Sequence, residues 1–232
     1  MKKYTHLFFD LDHTLWDFEA NAKDALFESF NKNDLTAKGI GGYEIFYEKY
    51  TFHNTRLWDR YSKGFIKQDE LRWKRMWLAL LDFKIANEPL ARKMSEEFLE
   101  FLPLRKKVFP YTREILNYLK DKNYQLHLIT NGFDFIQTQK LRNADLTEFF
   151  KEIITSETSG SLKPNKEIFE YALNKANASI DKSIMIGDNP EADIKGAQNF
   201  GMDTIFVNHL KVETAVEATF EILHLKELES IF

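Results

Sequence analysis

The fold of this chain is decided by residues 4–14, which read YTHLFFDLDHT. The first six residues are mostly apolar, as in a strand buried on both faces of a parallel sheet, and the run stops at Asp10 and Asp12. Ligands of open α/β sheets bind outside the carboxyl ends of such strands. Because two carboxylates so close together repel each other unless a cation or a shared proton relieves them, we expect a hard divalent metal ion at this loop.

The length and composition of the chain limit the kind of protein it can be. With 232 residues, of which 44% are hydrophobic, it can form one large domain or a domain with a sizeable insertion. The net charge of −4 argues against a nucleic-acid polymer as partner. The absence of cysteine excludes disulfides, thiolate metal sites and a thiol nucleophile, and it favours a reducing compartment. No stretch reaches the roughly 18 apolar residues of a membrane span. We therefore predict a soluble, cytoplasmic protein with no membrane partner.

Strand and helix patterns alternate in residues 1–16 and 108–232. After the first strand, the predicted strands are 125–129, 152–155, 183–186 and 204–207. The predicted helices are 112–121, 135–142, 166–175 and 192–200, and the tail could add a strand at 218–223 and a short helix at 225–232. This alternation predicts βαβ units and a mostly parallel sheet, that is, an α/β fold with a Rossmann-like core.

Residues 17–107 contain no convincing strand, and their apolar side chains recur at helical spacing. We predict that they form a helical cap domain inserted into the core. The segment holds three of the four tryptophans, whose faces could stack on a nucleobase or could fill the small core of the cap itself. His53 and Arg56 are the polar residues of the cap that we would test first for a role in substrate choice.

Four short polar stretches follow predicted strands. They are Asp10-Leu11-Asp12-His13-Thr14, Thr130-Asn131-Gly132, Lys163-Pro164, and Gly187-Asp188 with Asp193 on the turn behind it. Each stretch taken alone is compatible with a turn or a helix cap. In one parallel sheet, however, all four meet at the same edge, and we expect them to form one site.

The residue types of these stretches suit phosphoryl transfer, which needs a cation, hydrogen-bond donors and an oxygen nucleophile. Asp10, Asp12 and Asp188 can supply oxygen ligands for Mg²⁺. Thr130, Lys163 and the backbone N–H groups near Asn131 can hold a phosphate. One of the first two aspartates can attack phosphorus while the other transfers protons.

The four stretches together resemble the ordered motifs of the haloacid dehalogenase-like hydrolases. The resemblance covers essentially the whole chain, including a helical insertion just after the first motif. It implies that Asp10 forms an aspartyl-phosphate and that Asp12 is the general acid and base. The dehalogenases of this superfamily lack the second aspartate and the metal, so Asp12 argues for phosphoryl chemistry.

The same resemblance implies Mg²⁺ as the cofactor. Its implied ligands are the Asp10 carboxylate, the Asp12 backbone carbonyl and the Asp188 carboxylate, with Asp193 beyond the direct ligands. The residues that carry over as phosphate binders are Thr130, Asn131 and Lys163.

Residues 8–17 and 186–197 resemble most closely a bacterial subgroup of pyrimidine 5′-nucleotidases that act on noncanonical nucleotides. We therefore expect a Mg²⁺-dependent phosphomonoesterase whose small-molecule substrate is a nucleoside 5′-monophosphate. The alternatives are a sugar-phosphate or phosphoglycolate-type phosphatase, a phosphomutase, and a protein that binds a phospho-ligand without catalysis. The sequence carries no prediction of an oligomeric state.

Overall fold

The computed structural model describes residues 3–232, and these form a six-stranded sheet in the order β3-β2-β1-β4-β5-β6. The strands are β1 His6–Phe9, β2 Gln125–Thr130, β3 Glu152–Thr155, β4 Ser183–Gly187, β5 Asp203–Val207 and β6 Phe220–Ile222. Every neighbouring pair is parallel. The predicted α/β class and Rossmann-like core are confirmed, and the strand order reverses direction at β1, between β2 and β4, where such sheets bind ligands.

Two compact units divide the described chain. We call residues 3–18 and 106–232 the core unit, and Glu19–Arg105 the inserted unit. The predicted insertion was 17–107, so its boundaries differ from those of the inserted unit by two residues at each end. The first four helices are α1 Phe18–Lys32, α2 Tyr43–Ser62, α3 Gln68–Asp82 and α4 Glu88–Phe101. Within residues 3–232, every helix is too short or too polar to span a bilayer.

The inserted unit has an aromatic interior of its own. Phe46 and Tyr50 of α2 are buried, and the Tyr50 ring lies 5.6 Å from that of Phe98 on α4. These rings pack inside the unit, as the helical spacing of its apolar residues indicates. The two polar residues selected for a test have local partners: His53 Nε2 lies 3.0 Å from Asp82 Oδ2, and the Arg56 guanidinium lies over the ring of Phe52.

The remaining helices belong to the core unit. They are α5 Thr112–Asp121, α6 Asp134–Asn143, α7 Ser156–Ser159, α8 Lys166–Ala176, α9 Gly196–Phe200 and α10 Leu228–Ile231. The predicted helix 192–200 is instead a π-helical turn, Pro190–Lys195, followed by α9. In this wider turn Asn189 accepts hydrogen bonds from two backbone N–H groups, and Asp193 is drawn into the site described below. The spacing of apolar residues does not distinguish a π-helical turn from an α-helix, because the π-helical turn depends on tertiary contacts.

The apolar run that opens the chain is buried because both faces of the sheet are covered. All residues of β1 and β4 are buried. On one face, Phe8 and Met185 pack with Ile168 and Phe169 of α8 in a single apolar cluster. This packing fixes the ends of β1 and β4, and therefore the loops that follow them.

A buried pair of histidines crosses from β1 to β2. His6 Nδ1 and His127 Nε2 lie 3.1 Å apart, and the His127 ring also stacks on Phe8. Burial, and then the neighbouring charges of His6 and Lys151, lower the pKa of His127 to about 3; burial also lowers the pKa of His6. The pair is therefore neutral in the folded protein at pH 7.

This pair makes the fold sensitive to acid. Since His127 titrates near 6.5 when unfolded and near 3 when folded, the unfolded state binds more protons between these values, and the free energy of unfolding falls as the pH falls. We expect His127→Gln to reduce this slope by roughly 1 kcal/mol per pH unit between about pH 4 and 6. Urea titrations at several pH values measure it, with exposed His224→Gln as the matched control. An unchanged slope in His127→Gln would contradict the assignment.

Candidate active site

Three of the predicted polar stretches follow neighbouring strands at one edge of the sheet. In the strand register Phe9 lies beside Leu128 on one side and Ile186 on the other, so the loops after β1, β2 and β4 begin next to one another. Asp10 follows β1, Thr130 ends β2, and Asp188 follows β4. The structure therefore brings together the residues that the sequence placed at successive strand ends.

An acidic cluster with one cation occupies this edge. Carboxylate oxygens of Asp10, Asp188 and Asp193 all lie within 4.8 Å of one another. Lys163 Nζ lies 2.6 Å from Asp10 Oδ1 and 2.6 Å from Asp193 Oδ1. Three carboxylates against one ammonium leave two unbalanced negative charges when all are ionised. A divalent cation balances this excess, and Mg²⁺ prefers oxygen ligands of this kind, so the residues fit the metal implied by the sequence.

The electrostatics of the carboxylates reflect this excess. The pKa of Asp10 is raised to about 7. Burial is the largest cause, the charges of Asp193 and Asp12 add to it, and the charge of Lys163 acts in the opposite direction. Burial also raises the pKa of Asp188, and the charges of Asp10 and Asp193 raise it further. For Lys163, burial acts to lower the pKa, but the ion pairs to Asp10 and Asp193 outweigh it and the pKa is raised. The ammonium is therefore charged, and the carboxylates around it compete for too little positive charge.

Asp193 differs from the other two acids because both of its oxygens are engaged. Its Oδ1 pairs with Lys163, and its Oδ2 accepts a hydrogen bond from the backbone N–H of Asn189 at 3.0 Å. Glycine is required at position 187, since a Cβ there would overlap the Asp193 carboxylate. Asp193 therefore acts as a fixed support for Lys163.

Asp10 and Asp188 each keep one oxygen available. Lys163 donates to Asp10 Oδ1 at 2.6 Å, and the Thr14 hydroxyl donates to Asp188 Oδ1 at 2.9 Å. Among residues 3–232, no hydrogen bond engages Oδ2 of either aspartate. These are the oxygens that can meet a cation or a substrate.

The Asn131 side chain holds the segment that carries Lys163. Its Nδ2 donates to the backbone oxygen of Lys163 at 2.9 Å, and its Oδ1 accepts from the backbone N–H of Lys163 at 2.7 Å. The Lys163 ammonium also donates to the backbone oxygen of Ile129 at 2.8 Å. Residues at the end of β2 therefore fix both the backbone and the side chain of Lys163.

Thr130 lies at the end of β2 and its hydroxyl is a hydrogen-bond acceptor. It receives Gln137 Nε2 at 2.6 Å and the backbone N–H of Gly132 at 3.1 Å. A Cβ at Gly132 would overlap the Gln137 side chain, which explains the glycine in this turn. Gln137 therefore packs directly on the loop that was predicted to bind phosphate.

The Asp12 carboxylate is held by α6, a contact that sequence reasoning missed. Lys140 Nζ donates to Asp12 Oδ1 at 2.6 Å and to Oδ2 at 2.9 Å, and Gln137 Nε2 donates to Oδ2 at 2.9 Å. Gln137 and Lys140 stand three residues apart on one helix, so they share a face. Two polar residues at this spacing in the helix after the second motif were the signal in the sequence.

The fold and the site together define a class of protein. A family model for haloacid dehalogenase-like hydrolases matches residues 4–201, and the chain belongs to this family. The chain is also similar in structure to the YfnB protein of Bacillus subtilis. The two are 29% identical with a TM-score of 0.90, and the match covers 99% of each chain. The crystal structure of YfnB is described as bound to magnesium and as revealing interdomain movement.

Two curated relatives carry the name of an activity. The chain is 30% identical to the pyrimidine 5′-nucleotidase PynA of Streptococcus pneumoniae, over 97% of this chain and 93% of that protein. It is also 30% identical to the pyrimidine 5′-nucleotidase YjjG of Escherichia coli, over 99% of this chain and 98% of that protein. Both similarities span the core unit and the inserted unit.

Proposed function

We propose that this protein is a Mg²⁺-dependent phosphomonoesterase that hydrolyses nucleoside 5′-monophosphates, with pyrimidine nucleotides as the preferred class. The observation that carries the proposal is the cluster of Asp10, Asp188 and Asp193, two of which, Asp10 and Asp193, pair with the buried Lys163. The whole-length similarity to two proteins named pyrimidine 5′-nucleotidases supports the substrate class. The cytoplasmic location stays a prediction.

In the proposed reaction Asp10 is the nucleophile. A carboxylate oxygen of Asp10 attacks phosphorus, the ester P–O bond breaks, and Asp12, which begins the cycle protonated, gives that proton to the leaving oxygen and becomes a carboxylate. Water then attacks phosphorus, Asp12 takes a proton from it, and the Asp10–phosphorus bond breaks to release phosphate. Each step conserves charge and protons, and Asp12 returns to its starting state.

The remaining residues bind and stabilise. Thr130 and the backbone N–H of Asn131 are proposed to hold the phosphate oxygens, and Lys163, whose ammonium stays paired with Asp10 and Asp193, adds positive charge beside them. The carboxylates of Asp10 and Asp188 and the backbone carbonyl of Asp12 would hold Mg²⁺, which when bound would supply positive charge that offsets the carboxylates and the phosphoryl oxygens. Asp193 stays beyond the direct ligands, consistent with its two engaged oxygens.

A substrate panel tests the proposal. Purified protein with Mg²⁺ is given pyrimidine and purine nucleoside 5′-monophosphates, sugar phosphates and phosphoglycolate, and released phosphate is measured. We expect kcat/KM for the pyrimidine nucleotides to exceed that for the other monoesters by about tenfold or more, with activity lost on chelation of the metal.

Each alternative has its own result in this panel. Preference for a sugar phosphate or phosphoglycolate would replace the nucleotidase assignment with another phosphatase. An isomerised sugar phosphate without phosphate release would indicate a mutase. Nucleotide binding by calorimetry, with no turnover of any monoester, would indicate a protein that only binds its ligand.

A further inference from the structure

Lys140 is a buried cation that none of the four motifs contains. Its side chain is 3% exposed, whereas its neighbour Arg142 on the same helix α6 is exposed. A buried ammonium is costly unless it is paired, and Lys140 is paired with both oxygens of Asp12. Its ammonium also lies 4.4 Å from the ring centroid of Trp16 and 5.3 Å from that of Phe18. The ammonium therefore has a defined position.

Gln137 completes the arrangement. Its amide Nε2 donates to Asp12 Oδ2 at 2.9 Å and to Thr130 Oγ1 at 2.6 Å, so both amide hydrogens are used. The side chain is fully buried and is packed against Gly132. One residue thus ties the Asp12 carboxylate to the end of β2, where phosphate binding is proposed.

Asp12 itself needs such support. Its side chain is 23% exposed, so water alone would leave the carboxylate several rotamers. Proton transfer to a leaving oxygen requires a fixed geometry, because misplacement by about 1 Å can cost roughly 100-fold in rate. Three donor contacts from one helix restrict the carboxylate to one orientation.

We propose that Lys140 and Gln137 are positioning residues that hold the Asp12 carboxylate for proton transfer. The inference rests on the proposed function and extends it beyond the four motifs. It assigns α6 a part in the chemistry through Asp12, without contact to the reacting atoms.

Leaving-group dependence tests this role. The alkoxide of uridine 5′-monophosphate needs a proton as it leaves, whereas the phenolate of 2,4-dinitrophenyl phosphate does not. We expect Lys140→Met to lower kcat/KM for uridine 5′-monophosphate by about 10- to 100-fold, and kcat/KM for the aryl ester by less than about threefold. In a rapid-quench experiment the variant should also release dinitrophenolate in a burst before slow turnover, since Asp12 must still activate water in the second step.

Gln137→Leu serves as the second variant and should show the same split between the two substrates. Arg142→Met removes an exposed cation from the same helix and is the matched control, for which both values stay as in wild type. Thermal unfolding followed by circular dichroism shows whether each variant is folded. If one of the two, Lys140→Met or Gln137→Leu, is not folded, the kinetics of the other test the inference.

Two results would overturn the inference. Equal losses for both substrates in the folded variants would mean that Lys140 and Gln137 support the site in general and have no specific effect on Asp12. Wild-type kcat/KM values for both substrates in the folded variants would mean that Lys140 and Gln137 neither support the site nor position Asp12. A wild-type protein that hydrolyses neither ester would refute the proposed function as well, which distinguishes that failure from the failure of the positioning role.

Discussion

Replacing Asp10 by asparagine should abolish phosphate release, lowering kcat by a factor of roughly 10⁴ or more. The amide oxygen is neutral and cannot form the acyl phosphate through which the reaction is proposed to pass. The position admits asparagine sterically, since the amide has the size of the carboxylate. Burial raises the pKa of Asp10 to about 7, so the substitution also removes a charge that the fold does not favour.

The loss of activity should therefore occur in a protein that is folded. We expect Asp10→Asn to unfold within a few degrees of wild type in metal-free buffer, because Lys163 keeps its 2.6 Å ion pair to Asp193. Asp121→Asn, an exposed position at the end of α5, is the matched control and keeps full activity.

Trapping the intermediate makes the assignment specific. Wild-type protein quenched in acid during turnover of ³²P-labelled substrate should retain label that hydroxylamine removes, as an acyl phosphate does, and Asp10→Asn should retain none. Label on the variant, or phosphate release at a tenth of the wild-type rate, would contradict Asp10 as the nucleophile.

The sequence predicted the sheet because burial on both faces leaves a readable pattern. Three of the four residues of β1, Leu7 to Phe9, are apolar, and the ends of β2, β3 and β4 fall within one residue of the predicted strand ends. The same pattern placed Asp10, Thr130 and Asp188 at adjacent strand ends, since parallel strands present their carboxyl ends together.

The contacts among side chains could not be predicted in this way. Lys140 and Gln137 were missed because they approach Asp12 from a distant part of the chain, and a polar residue on a helix is ordinarily solvated. The π-helical turn carries Asp193, whose carboxylate pairs with Lys163, a residue distant in sequence. The same carboxylate also packs closely against the backbone of Gly187. Such features arise from tertiary packing, and the spacing of apolar residues along the sequence does not predict them.

Lys163→Met should be the most destabilising single substitution in the site. The ammonium is 2% exposed and pairs with Asp10 and Asp193, and its removal leaves three carboxylates with no cation. Breaking a buried ion pair by removing one partner costs about 3–5 kcal/mol, and we expect the free energy of unfolding in metal-free buffer to fall by that amount. Lys166→Met, at an exposed position in the same region, is the matched control and should change it by less than about 0.5 kcal/mol.

The pH dependence of the Lys163→Met variant follows from the same charges. Without the ammonium, the pKa of Asp10 rises above a value that is already about 7, and the folded variant binds protons that the unfolded chain releases near pH 4. Because the folded state then holds more protons, the free energy of unfolding falls as the pH rises, so the loss relative to wild type is larger at pH 8 than at pH 6.

A second substitution separates lost charge from lost packing. Adding Asp193→Asn to Lys163→Met removes one of the three uncompensated carboxylates, and we expect it to recover about 1–2 kcal/mol, although Asp193→Asn alone destabilises the wild type by breaking the pair with Lys163. Urea titration of the four proteins gives this coupling directly. If Asp193→Asn destabilised the variant as much as the wild type, the ammonium would act through its packing, and the excess negative charge from which we infer a cation at this edge would not exist.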